Sequence, residues 1–241
     1  MGASTTSHIG FFQRLAAFRE RFGAKNAFLK AADVVLQKAF RTSTHTVVWL
    51  DIDAVKDMKC SDPQFTFRFL TADEIENFAK DPSFYINPGL ADGVRNGREV
   101  CFAALADDRL AAFGCYTLGY VPPTQAAGAA MSFPNDVAYM SFGYTHPDSR
   151  GARLHGLIMG LALQELAKRG ITKLVSLVSW TNHSSLKSCW RLGYIGLGNM
   201  VTIGSPKRAI GFYPQEAKDR GVRFGRNALR LMRPNVSPNA T

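Results

Sequence analysis

Cysteine is scarce in this 241-residue chain: Cys60, Cys101, Cys115 and Cys189 are the four, with no C-x-x-C pair among them. That spacing argues against a disulfide framework or a cysteine-built zinc site. Cys101 and Cys115, inside apolar runs, read as reduced core thiols of a cytoplasmic protein. The five histidines form no H-x-x-x-H or H-E-x-x-H pair, so no metal is expected. Long hydrophobic runs are missing too. The apolar stretches near Leu157 and Val175 are broken well before the roughly 20 residues a spanning helix needs. The N-terminal stretch lacks the basic, apolar and small-residue order of a secretory signal, which again predicts a cytoplasmic location.

Acidic residues are outnumbered, 19 against 29 Lys and Arg, for a net charge of +10. The excess lies at the ends: residues 1–42 hold seven basic residues against Glu20 and Asp33, and residues 207–241 hold eight against Glu216 and Asp219. Such ends suit an acidic partner, either an acidic carrier protein or an anionic membrane surface with the protein peripheral to it. Nucleic acid is disfavoured, because aromatics are not interleaved with the basic residues. With 46% hydrophobic residues the chain can bury one good core. The expected organisation is a helical basic N-terminal extension over 1–62, a main domain over 63–206, and a basic C-terminal segment over 207–241 that packs on the domain or trails from it.

Phe11, Leu15, Phe18 and Phe22 recur at helical spacing, and after Gly23 a second helix from Lys25 to about Arg41 carries Phe28, Ala32, Val35 and Ala39 on one face. These helices could pack on the domain, form a homodimer contact or lie on a membrane. Thr46 to Leu50 reads as a short apolar run within a connector that ends at Ser61-Asp62-Pro63. The alternation of Phe65 to Leu70 predicts a strand, and Thr71 with Glu74 a capping box. A second short helix ends near Asn96. Runs from Val100 to Ala106 and from Leu110 to Tyr120 form a hairpin, and a loop of little structure extends to Pro134. Val137 to Thr145 is a strand, Gly151 to Arg169 a helix, Ile171 to Trp180 a strand, Asn182 to Arg191 a helix and Gly193 to Ile203 a last strand.

The turn His146-Pro147-Asp148-Ser149-Arg150-Gly151-Ala152-Arg153-Leu154-His155-Gly156 joins a strand to a helix. A helix N-terminus offers unpaired N–H groups and the positive end of its dipole, which suits a pyrophosphate. Gly151 permits a tight turn, Gly156 leaves room on the helix, and Arg150 and Arg153 can add charge-assisted bonds. The alternative reading is a glycine turn with solvated arginines. Downstream, Asn182-His183-Ser184-Ser185-Leu186 is followed by Leu192-Gly193-Tyr194. Asn182 and Ser185 also suit ordinary N-capping.

With these two segments in this order, residues 65–203 resemble the GNAT N-acetyltransferase superfamily. Its acyl-CoA turn reads Pro-x-x-Arg-Gly-x-Gly-x-Gly, and its later segment reads Asn-x-x-Ser-Leu and then Leu-Gly-Phe. Pro147, Arg150 and Gly151 match the turn, whereas Arg153 and His155 stand where the pattern has glycine. The resemblance implies an α/β (α+β) fold with a mixed, mostly antiparallel central sheet, splayed between the family's fourth and fifth strands and flanked by helices. It also implies acetyl-CoA or another acyl-CoA as co-substrate. The coenzyme would be held by Phe142, Gly143, Tyr144, Thr145, Arg150, Gly151, Ala152, Arg153, Leu154, His155, Gly156, Asn182 and Ser185.

The catalytic residues depart further from the family. Cys189 stands where many members have a tyrosine that protonates the leaving thiolate, and the strand from Val137 to Thr145 has no carboxylate. Asp136 and Glu99 remain as candidate bases, and Tyr139, Tyr144, His183 or Cys189 as candidate acids. The implied activity is acetyl transfer to a primary amine of a small molecule or amino sugar by direct attack. The alternatives are a longer-chain acyltransferase fed by acyl carrier protein, and a non-catalytic acyl-CoA-binding module.

Overall fold

The computed structural model describes residue 16 and residues 18–20, 22–123, 128–204 and 210–225. Most of the helix expected over Phe11 to Phe22 lies outside the described residues. So do much of the C-terminal segment and parts of the 121–134 and 205–214 loops.

In chain order the elements are α1 (Ala24–Phe40), β1 (Thr42–Asp51), β2 (Thr66–Phe69), α2 (Ala72–Ala79), α3 (Leu90–Arg95), β3 (Glu99–Ala106), β4 (Arg109–Leu118), β5 (Tyr120–Val121), β6 (Ala130–Ser132) and β7 (Val137–Thr145). There follow α4 (Leu154–Ala167), β8 (Lys173–Ser179), α5 (His183–Leu192), β9 (Ile195–Ile203), β10 (Ile210–Phe212), α6 (Gln215–Asp219) and β11 (Arg223–Gly225). Eight strands form one sheet in the order β10-β9-β1-β8-β7-β4-β3-β2. All its neighbours are antiparallel except β7 and β8, which α4 connects as a crossover. The mixed, mostly antiparallel sheet expected from the sequence is therefore present.

One expectation is overturned. Residues 42–51 are not connector but a ten-residue strand, β1, paired on one side with β8 and on the other with β9. Its threonines favour extended backbone and its far half, Val47 to Leu50, is fully enclosed. Val47 and Trp49 face one core while Val48 and Leu50 face another, as the period of two demands. No packing boundary falls at Pro63.

Helix α1 is held by a polar pin rather than by its apolar face. Asp33, 2% exposed, accepts from Trp180 Nε1 at 2.9 Å and Thr181 Oγ1 at 3.2 Å, and Lys30 Nζ donates to Thr181 Oγ1 at 2.9 Å. The loop expected before Pro134 is also more ordered than anticipated: β5 and β6 join β11 in a small second sheet. On the sheet's other edge the expected capping box forms, with the Thr71 and Glu74 side chains each satisfying the other's backbone. The Arg68 fork holds the Glu74 carboxyl down to about 2.

Helix α4 lays Leu154, Ile158, Ala162, Leu163 and Leu166 on the sheet, and the Tyr116 hydroxyl donates to the Ile158 carbonyl at 2.9 Å. It packs beside α5. The opposite face is covered by α2 and α3 over Ala103, Leu105 and Phe113, and by the small sheet over Trp49 and Val137.

Candidate functional site

Strands β7 and β8 pair only through Val137–Lys173, Ala138–Leu174 and Tyr139–Val175. Beyond that the ladder stops, with Ser176 Oγ donating to the Met140 carbonyl as the last bridge at 2.9 Å. The cause lies on the other side of β7. The β4 register shifts between Cys115–Phe142 and Tyr116–Met140, so Ser141 is the extra residue of a bulge, and its hydroxyl donates to the Cys115 carbonyl at 3.3 Å. A bulge bends its strand and raises local twist, which swings the end of β7 away from β8.

Above the bulge, the His146 amide donates to the Ala111 carbonyl at 2.8 Å. By the alternation of an antiparallel ladder, the backbones of Phe142 and Tyr144 serve β4. Those of Gly143 and Thr145 turn toward the splay, and the Thr145 hydroxyl is buried without a partner among the described residues.

The turn above β7 runs through a 3-10 segment, Pro147–Ser149, and α4 starts at Leu154 rather than at the expected Gly151. Gly151 has φ +97° and Arg153 has φ +57°. Arg153 therefore keeps the left-handed backbone for which glycine is the usual residue, with its side chain exposed. The amides of Leu154 and His155, in the first turn, have no intrahelical acceptor. His155 packs against the strand: a Cβ on Gly143 would lie 2.8 Å from His155 Cε1 and from Met140 Cε. Burial pushes the His155 imidazole below its usual range.

On the far wall Asn182 caps α5, its side chain accepting from the Ser185 amide at 3.2 Å. His183 Nε2 is buried without a partner among the described residues, and its ring lies 5.9 Å from that of Phe18 and 5.8 Å from that of Phe22. The chain ahead of α1 thus reaches the wall of the splay. Two orphaned polar atoms, an open strand edge and a bare helix N-terminus fit a long polar ligand ending in an anion.

On the other face of the sheet is a cavity of about 1160 Å³, whose lining includes Glu99, Phe113, Tyr120, Ser141, Phe142 and Arg223. Glu99 leans over Gly93 and accepts from Thr117 Oγ1 at 3.4 Å. Cavity and splay meet at the β7 bulge. Its Ser141 carried no signal in the sequence, because a bulge is a property of two strands in register.

The expected catalytic residues do not gather there. Asp136 precedes β7 and is ion-paired with Lys173, five residues below the bulge, about 16 Å along a strand. It is withdrawn as the base. The Tyr144 hydroxyl donates to the Ser83 carbonyl at 2.8 Å, and its ring packs among Phe84, Tyr85 and Phe113. Burial raises the Cys189 thiol to about 11, which argues against a nucleophilic thiolate, and at 4% exposure the thiol is enclosed away from a leaving group that it could protonate. Burial likewise raises the Tyr139 phenol far above its range. No group of three His, Cys, Asp or Glu among the described residues could hold a metal ion.

A bulge-opened pair of parallel strands, with a helix N-terminus over its mouth, defines the class as a mixed α/β fold with a splayed central sheet. No protein-family model and no curated protein matches the chain. Solved structures do match. A GCN5-related N-acetyltransferase from Kribbella flavida is similar over 73% of this chain and 63% of its own, at 14% identity and a TM-score of 0.51. A tandem GNAT protein from the clavulanic acid biosynthesis pathway is similar over 72% and 58%, at 13% identity and 0.45. An aminoglycoside acetyltransferase from an uncultured soil metagenomic sample is similar over 55% and 89%, at 9% identity and 0.43. The chain spans about three-fifths of the first two. Its fold is that of the GNAT N-acetyltransferases.

Proposed function

We propose that the protein transfers an acyl group, acetyl by default, from acyl-CoA to a primary amine of a small molecule. The observation that carries this reading is the meeting of two spaces at one point of β7: the open splay on one side and the Glu99-lined cavity on the other. In it, pantetheine lies along the Gly143 and Thr145 backbone, and the pyrophosphate lies against the amides of Leu154 and His155. The thioester carbonyl reaches the bulge, where a backbone N–H can take the oxyanion.

The amine enters the cavity and gives up a proton toward Glu99, directly or through water. Its nitrogen then attacks the carbonyl, the C–N bond forms, the C–S bond breaks, and the thiolate takes a proton from solvent. No side chain is assigned as the acid, since Cys189 is enclosed and Tyr144 is engaged elsewhere. Holding amine and thioester together supplies much of the acceleration.

The test is calorimetric titration with acetyl-CoA, followed by acetyl and acyl-carrier transfer to a panel of amines including amino sugars. Glu99→Gln should lower kcat by about 10²–10⁴ with acetyl-CoA affinity unchanged. Binding without turnover on any amine would favour a non-catalytic module, and no binding at millimolar acetyl-CoA would remove both readings.

A further inference from the structure

The helix that pins the wall of the splay turns its apolar side outward. Phe28, Ala32, Val35 and Ala39 follow one another at i, i+4, i+7 and i+11, and Phe28 is 73% and Val35 63% exposed. Leu36 and Phe40 widen the stripe, at 44% and 62% exposed. What α1 buries is Ala27 and the Asp33 pin. An ordinary surface helix does the reverse, so this stripe is available to something outside the described structure.

The surrounding charge says what. The helix's one acid, Asp33, is buried and held by Lys30, while Lys25, Lys38 and Arg41 are exposed. The sequence has no Asp or Glu between Asp33 and Asp51, nor between Glu165 and Glu216. Those intervals supply β8, α5, β9, β10 and all of β1 but Asp51, so on the β10-β9-β1-β8 end of the sheet the only carboxylate from these elements is Asp51, at the end of β1 farthest from α1. A second copy would bring the same positive charge against this face, whereas an anionic bilayer would complement it. An apolar stripe along one side of a 17-residue helix flanked by exposed basic residues suits attachment in the plane of the interface.

We infer that α1 docks the protein on an anionic phospholipid surface. Its Phe28–Val35–Leu36–Phe40 side enters the headgroup boundary while Lys25, Lys38 and Arg41 meet lipid phosphates and carboxylates. The interaction is independent of acyl transfer.

The experiment is co-sedimentation of the full chain with phosphatidylcholine vesicles, with and without phosphatidylserine. The chain should sediment with the phosphatidylserine vesicles and be released by salt. The Phe28→Ser, Val35→Ser double variant should weaken partitioning about tenfold or more. Lys25→Glu with Lys38→Glu should abolish the preference for phosphatidylserine. All four side chains are exposed, so melting temperatures should hold and report an intact fold. Failure to sediment with phosphatidylserine vesicles, or equal sedimentation of the wild type and both variants, overturns the inference. So does a dimer in sedimentation velocity that Phe28→Ser, Val35→Ser dissociates without any vesicle binding.

Discussion

Arg153 shows how a pattern can lose its glycine and keep the backbone glycine would have given. Its left-handed φ costs a non-glycine residue roughly 1–2 kcal/mol, which glycine's greater freedom in the unfolded chain partly offsets. Arg153→Gly should therefore stay within about 1 kcal/mol of wild type in a denaturant melt and retain acetyl-CoA binding. Gly151→Pro, which forces φ from +97° to about −65°, should abolish that binding in calorimetry.

The opposite substitution, His155 for glycine, is accommodated across the gap by Gly143. Gly143→Ala should drive the new methyl into His155 and Met140 and cost about 1–3 kcal/mol. His155 also ties stability to pH. The unfolded chain protonates this ring below about pH 6.5, whereas burial makes the folded chain resist. Its contribution is therefore complete above that pH and lost on acidification. A His155→Gln variant should show a shallower fall in melting temperature between about pH 7 and pH 5.

At the scale of elements, the main-sheet strands and the helices from Phe65 to Ile203 were legible because each carries its own period and its own punctuation, whereas the short β5 and β6 carry neither and were read as loop. Thr71 with Glu74, Asn182 with Ser185 and the alternation of Val137 to Thr145 are local signals and survived into the structure. The N-terminal segment was misread for a physical reason: half of β1 is Thr, Ser and His, whose polarity masks an alternation that only its two neighbours make sense of. The apolar stripe of α1 was visible, but its outward direction depends on where Asp33 finds partners. Asp33→Ala would leave Trp180 Nε1 and Thr181 Oγ1 without their acceptor. It should cost about 1–3 kcal/mol and raise hydrogen exchange in α1 before the rest of the fold.

For the whole molecule, the splay and the cavity meet at one bulge, and neither can be seen from a single stretch of chain. The turn and the helix cap expected to hold a coenzyme were legible as local structure, because a positive-φ glycine and an Asn N-cap each leave a sequence trace. The cavity was not, since its lining comes from α3, β3, β4, β5, β6, β7, β11 and the loops between them, brought together by topology alone.

The placement of β1 has a consequence for how the chain is made. Its partners β8 and β9 leave the ribosome long after it, so Val47, Val48, Trp49 and Leu50 must wait, uncovered, until the chain to Ile203 is synthesised. Central strands closed by such distant pairings form slowly and expose adhesive surface meanwhile. The N-terminal half of the sequence, expressed alone, should aggregate, and the complete chain should gain more soluble yield from chaperones or slow expression than its size would suggest.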